Sequence, residues 1–120
     1  ADGCEQVVAL LFPGDFVGRT RGGERHETVA LGEAQLCLFP RATMARRLAE
    51  SPPMEQLLLE RTQQSVDDAR ERLSLLLRGS ADARVSALLR AFADHAGGPA
   101  FDLPMTRGDM ADVLALTPET

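Results

Sequence analysis

Pro104-Met105-Thr106-Arg107-Gly108-Asp109-Met110-Ala111-Asp112-Val113-Leu114-Ala115-Leu116-Thr117-Pro118-Glu119-Thr120 carries two helix starts in one short stretch. Thr106 with Asp109 three residues on has the spacing of a capping box, Asp standing where Glu is usual, so that each residue satisfies the other's exposed N–H. That start predicts a helix of about one to two turns reaching Leu114. Thr117 offers a second cap, with Pro118 at the first helical position, where a missing N–H costs nothing. Two short helices joined by a tight turn form the helix-turn-helix pattern. The chain stops within the first turn of the second helix.

Upstream, Ser80 and Asp82 open a helix whose Val85, Leu88, Leu89 and Phe92 follow the i, i+3, i+4, i+7 rule and give one apolar face. Gly97-Gly98-Pro99 closes it, and Phe101-Asp102-Leu103 is a short extended stretch. Before it, Ser51-Pro52-Pro53 suits a helix start, and Met54 to Leu77 contains neither Gly nor Pro. A helix of about 24 residues follows, twice the usual globular length. Its Leu59, Thr62, Val66, Ala69, Leu73 and Leu76 alternate spacings of three and four, the a/d rhythm of a two-stranded coiled coil. Leu57, Leu58, Leu75 and Leu77 lie off that stripe and are free to pack on the chain itself. A long core helix of a monomeric bundle would carry the same stripe. A homodimer seam is favoured because so few other helices are available to cover it.

The first third reads differently. Residues 5–12, Thr28-Val29-Ala30-Leu31 and Gln35-Leu36-Cys37-Leu38-Phe39 are strand-like, with turns at Pro13-Gly14-Asp15 and Gly32-Glu33. Residues 19–27 form a charged loop, Pro40 ends the strands, and a short helix spans about 41–50. The expectation is a β-meander, one side of a small barrel or roll, and an α+β fold.

Composition bounds the function. Of 120 residues, 44% are apolar, enough for a packed core. The net charge is −5, divided as −1 over 1–50, −1 over 51–78 and −3 over 79–120, so no segment is a basic patch. DNA binding, if it occurs, rests on something other than charge. All 13 basic residues are Arg. Two cysteines, Cys4 and Cys37, make no disulfide framework, and no run approaches the ~20 apolar residues that cross a bilayer. A cytoplasmic protein with no membrane partner is expected. His26 and His95 stand apart from any Cys or His at ligand spacing. No Ser/His/Asp set, HExxH, Walker loop or dinucleotide fingerprint occurs, so enzyme activity has no support.

Phe12-Pro13-Gly14-Asp15-Phe16-Val17-Gly18, Cys37-Leu38-Phe39-Pro40, the long helix ending Leu75-Leu76-Leu77, and Leu103 to Thr120 together resemble the FNR branch of the cyclic-AMP-receptor/FNR family of transcription regulators. The resemblance covers essentially the whole chain and is most specific over 104–120. It implies three parts. Residues 1–50 would be the C-terminal part of a cupin-like β-roll sensor, and 51–78 the dimerisation helix. Residues 79–120 would be the N-terminal part of a winged helix-turn-helix domain, cut within the recognition helix. The chain would thus be truncated at both ends.

The same resemblance implies a site. Glu119 would accept from a cytosine N4–H, flanked by Thr117 and Thr120, while Thr106 and Arg107 would touch phosphate. Cyclic AMP is not expected: Arg19 stands where the nucleotide-binding branch places a Glu, and Glu24 falls near the Arg that clamps the phosphate. Cys37 sits where oxygen-sensing members place one ligand of a [4Fe–4S] cluster, which needs four thiolates. This chain alone is expected to hold no cofactor, the cluster belonging at most to the full-length protein. Ala69 occupies a seam position where oxygen-regulated members tend to carry Asp. Promoter DNA is the partner implied for the full-length protein. A dimeric interaction module that never meets DNA, and a haem-based or other small-ligand sensor on the same scaffold, are the alternatives.

Overall fold

The computed structural model describes residues 6–120, leaving Cys4 and the first residue of the expected 5–12 strand outside the description. Four helices follow in order: α1 (Arg41–Glu50), α2 (Pro52–Arg78), α3 (Ala81–Ala96) and α4 (Arg107–Leu114). α1 follows Pro40 without a side-chain cap, whereas α2, α3 and α4 begin next to capping residues. Ser51 precedes α2, which carries Pro52 and Pro53 in its first turn, and the Ser51 carbonyl accepts from the N–H of Met54 at 3.1 Å. Ser80 caps α3, its hydroxyl accepting from the Ala83 N–H at 3.2 Å. Gly97 ends α3 in the left-handed region (φ 78°), where glycine bears no Cβ penalty.

The expected α+β fold is overturned: among the described residues there are four helices and no strand. The turn at Pro13-Gly14 falls where expected, and a bend at Leu31-Gly32 lies one residue before the expected Gly32-Glu33. The expected strands at 5–12, 28–31 and 35–39 form no ladder among the described residues. Alternation marks which segments can pair, whereas a sheet needs several strands and a covered apolar face before pairing offsets the loss of chain entropy. Here Val29, Leu36 and Leu38 remain 69%, 66% and 87% exposed, so no second layer covers such a face. The β-roll part expected over 1–50 is therefore not formed among the described residues.

The chain divides into two compact units. Pro13–Asp67 holds α1 and the first part of α2, neither of which buries a residue. The other unit combines residues up to Phe12 with Asp68–Thr120 and contains the core. Leu88 of α3 packs with Val113 and Leu114 of α4, flanked by Val85, Phe92, Met110, and Val7 and Leu10 from the N-terminal segment. Phe12 joins this unit by stacking on His95, with ring centroids 3.8 Å apart, and meeting the edge of Phe92 at 5.3 Å.

Of the α3 stripe, Leu88 is 5% exposed and Leu89 37%, so the core takes the side facing α4 and leaves its neighbour in water. Leu88→Ala should therefore cost about 2–4 kcal/mol through lost burial and the cavity left behind. Leu89→Ala should cost less than about 1 kcal/mol. Chemical denaturation of both variants checks the contrast, and equal losses would contradict the assignment of the core face.

Candidate functional site

The helix-turn-helix stretch begins with a fully formed capping box. The Thr106 hydroxyl accepts from the Asp109 N–H at 3.1 Å, and the Asp109 carboxylate accepts from the Thr106 N–H at 2.8 Å. The hydroxyl also donates to that carboxylate at 2.9 Å. The two bonds that the carboxylate accepts, first from the Thr106 N–H and then from its hydroxyl, hold the Asp109 carboxyl below its ordinary value, since each favours the ionised form. Asp109, one methylene shorter than the usual Glu, still closes the box.

α4 ends at Ala115, whose φ of 52° and ψ of 48° lie in the left-handed region. A side chain there is strained by about 1–2 kcal/mol. Surrounding contacts compensate it. The Ala111 carbonyl accepts from both the Ala115 and the Leu116 N–H groups. The Arg84 guanidinium, reaching across from α3, donates to the Leu114 and Ala115 carbonyls at 3.2 Å each. Through its other nitrogens Arg84 donates to the Leu76 carbonyl at 2.6 Å and the Gly79 carbonyl at 3.2 Å, at the end of α2. Arg72 of α2 donates to the Val113 carbonyl and, at 3.2 Å, to the Val7 carbonyl. Burial pushes the Arg72 guanidinium down from its ordinary value, but an arginine remains charged in proteins. Cations at helix C-termini complement the helix dipole and satisfy its last carbonyls.

Beyond Ala115 the second expected helix is not formed. Thr117 to Thr120 make a single turn, closed by the Thr120 N–H donating to the Thr117 carbonyl at 3.0 Å. Their two hydroxyls are 2.8 Å apart. An α-helix needs i to i+4 bonds, and three residues after Thr117 leave none to make.

Of the residues singled out for DNA, Arg107, Thr117 and Thr120 line one shallow cleft with Met110, Leu114 and Pro118. Glu119 is exposed on the turn, and Thr106 is committed to the capping box. Along α2 the seam residues Leu59, Val66 and Leu73 are 51%, 44% and 57% exposed, Thr62 and Ala69 are exposed, and Leu76 is half-buried. The Thr62 hydroxyl donates to the Leu58 carbonyl at 2.8 Å, which lets it sit in a seam with its polar atom satisfied. The off-stripe Leu57 and Leu77 are also exposed. Arg72 and Arg84 escaped the sequence reading, although each carries a readable signal: a charged residue on the side of a helix that otherwise turns apolar residues inward.

Cys37 is exposed. No group of three or more His, Cys, Asp or Glu among the described residues is placed to hold a metal ion. With two cysteines in the chain, the donor set does not fit a [4Fe–4S] cluster. No helix among the described residues is long and apolar enough to cross a membrane.

No family model matches the chain, and no solved structure matches it. Curated proteins do. The chain is 38% identical over 125 residues to a probable transcriptional activator of Rhizobium leguminosarum bv. viciae, covering 99% of this chain and 52% of the relative. It is 39% identical over 129 residues to the transcriptional activator protein FnrL of Cereibacter sphaeroides, with the same coverage. It is 29% identical over 126 residues to the fumarate and nitrate reduction regulatory protein of Escherichia coli, covering 98% of this chain and 50% of the relative. The chain thus spans about half the length of the curated relatives it matches. Two of these relatives are named as transcriptional activators and one as a regulatory protein.

The Asp109 bonds generate a pH signature. A carboxyl held low in the folded state contributes stability above its ordinary value and loses it as pH falls through the lowered one. Acidification below about pH 4 should fray the N-terminus of α4, and Asp109→Asn should flatten that limb. Thr106→Ala should remove about 1 kcal/mol at neutral pH. Amide exchange at residues 107–110 across pH reads both, and an unchanged acid limb in Asp109→Asn would contradict the assignment.

Proposed function

The chain belongs to the FNR-like branch of the cyclic-AMP-receptor/FNR family, and from that premise we propose that it is part of a bacterial, sequence-specific transcription regulator working as a homodimer on promoter DNA. The observation that carries this reading is the capped α4 followed by the left-handed turn at Ala115 and the exposed 117–120 turn. It lies within a match that covers 99% of the chain. Residues 79–120 form the DNA-reading part. Glu119 accepts from a cytosine N4–H with Thr117 and Thr120 beside it, and Thr106 and Arg107 face phosphate. Residues 51–78 form the dimerisation helix, and the segment before them responds to an effector such as oxygen, redox state or a dissolved gas. The compartment is the cytoplasm, where promoters are.

A [4Fe–4S] cluster is a finer question. Cys37 can supply one thiolate, and the chain's remaining Cys4 leaves the set short of four. Any cluster in the full-length protein must draw ligands from outside this sequence, and anaerobic absorbance of that protein distinguishes cluster, haem and neither.

The competing reading is a dimeric module that never meets DNA, favoured by the −3 charge of residues 79–120. Selection from random-sequence duplexes with the full-length protein separates the two. A regulator should recover one two-fold-symmetric site. In it, Glu119→Ala should cost about 1–3 kcal/mol and relax choice at a single base pair, whereas Arg107→Ala should weaken all sequences alike. Recovery of no common sequence would refute the DNA-binding reading.

Dimerisation has its own test. The uncovered Leu59, Val66 and Leu73 line one stripe, and Ala69 within it presents no charge to desolvate. Dimerisation should then be independent of effector loading, with regulation acting on the orientation of the DNA-reading parts. In sedimentation the full-length protein should be a dimer both loaded and unloaded, and Leu73→Glu should be monomeric. A monomer that pairs only on loading would show the Ala69 argument to be wrong.

A further inference from the structure

The carbonyls at the end of α4 and those at the end of α2 share one cation. Arg84 donates to Leu114 and Ala115 on one side and to Leu76 and Gly79 on the other. Arg72, on α2 itself, adds a direct bond to the Val113 carbonyl. The last turn of α4 is therefore held by two guanidinium groups from two different helices.

The joint between α2 and α3 is equally tight. The Gly79 N–H donates to the Leu75 carbonyl at 2.7 Å, and a Cβ at Gly79 would stand 2.5 Å from that oxygen. No larger residue fits without moving the joint. All of these groups lie in the unit that contains Asp68–Thr120. Direct apolar packing between the end of α2 and α4 contributes little, since the buried cluster is made of α3 and α4 residues. The geometry of α4 against α2 is thus set by directional bonds from a planar fork.

We propose that Arg84, assisted by Arg72, is a positioning residue that makes the end of α2 and the helix-turn-helix stretch move as one body, so that these contacts set the spacing of DNA half-sites the dimer accepts. The proposal rests on the DNA-binding reading above and adds to it the element that transmits orientation. A guanidinium is required because five donors in a rigid fork can serve four carbonyls at once. Lysine keeps the charge but, as a point donor on a flexible stem, cannot hold both helix ends in one geometry.

The test uses the full-length protein with two readouts. The first requires no DNA. Exposed Ser74 on α2 and Asp112 on α4 are replaced by an unnatural amino acid that carries the spin label, which leaves every cysteine in place, and the label–label distance distribution is measured. It should be narrow in the parent and broad in Arg84→Lys, with a smaller broadening in Arg72→Lys.

The second readout compares a two-half-site operator recovered by selection with the same half-sites moved apart by about 5 base pairs, half a DNA turn. The parent should prefer the native spacing by about tenfold or more, and Arg84→Lys should reduce that preference to about twofold while binding an isolated half-site as the parent does. Narrow distributions in both variants would overturn the proposal, as would an intact spacing preference in Arg84→Lys. Equal weakening at both spacings and at the isolated half-site would assign Arg84 a purely structural role and also refute it. If the parent recovers no DNA site, the DNA-binding reading fails, and the label distances still decide whether the clamp exists.

Discussion

The last turn of α4 ends on three carbonyl oxygens, those of Val113, Leu114 and Ala115, and two arginine side chains take all three. A helix of eight residues has few bonds of its own, and its C-terminal carbonyls have no intrahelical partner. Left to water, such an end frays. Here the cations also oppose the negative end of the helix dipole, and the same guanidinium that holds α4 holds the end of α2. The left-handed Ala115 lies within that anchorage, its carbonyl held by Arg84.

This arrangement suits a unit with a thin core. Four residues are buried among those described: Leu88, Ala111, Val113 and Leu114. Apolar packing of that size can join α3 to α4 but leaves little to tie in α2. Hydrogen bonds to a cation are stronger than neutral ones and directional, so they define an angle where a few leucines would leave a range. No buried side-chain nitrogen or oxygen among the described residues lacks a partner, which keeps the burial of charge from becoming a penalty. The capping box acts at the opposite end of α4, placing a carboxylate at its N-terminus. The short helix is thus held electrostatically at both ends.

Two surfaces bear on the proposed function. Along α2, Leu59, Val66 and Leu73 are apolar and exposed, the kind of stripe that a second copy would cover under that reading. The surface around 106–120 is small, polar and without net positive charge, so any affinity for DNA would come from shape and a few bonds at a paired site. Under the proposed reading, two such surfaces presented in a defined orientation would offset the lack of positive charge, and the arginine contacts would supply that orientation.

Helix ends were readable from the residues because capping is local. Thr106 with Asp109, Ser80 with Ala83 and the left-handed Gly97 each involve atoms within about one turn, so spacing alone specifies them. The length of α2 was readable from the lack of Gly and Pro between Met54 and Leu77. Strands were misjudged at 5–12, 28–31 and 35–39, since alternation describes one segment whereas a ladder belongs to two, and among the described residues none forms. Periodicity placed Leu88 and Leu89 on one face, and only the position of α4 decided that Leu88 is covered and Leu89 is not. The sequence marks Arg84 only as a charge beside an apolar helix face; its partners at Leu114 and Ala115, 30 and 31 residues away, were not legible there. Local chemistry determined where the helices start and stop. Tertiary structure decided what they touch, because a bond between distant residues exists only once the chain has brought them together.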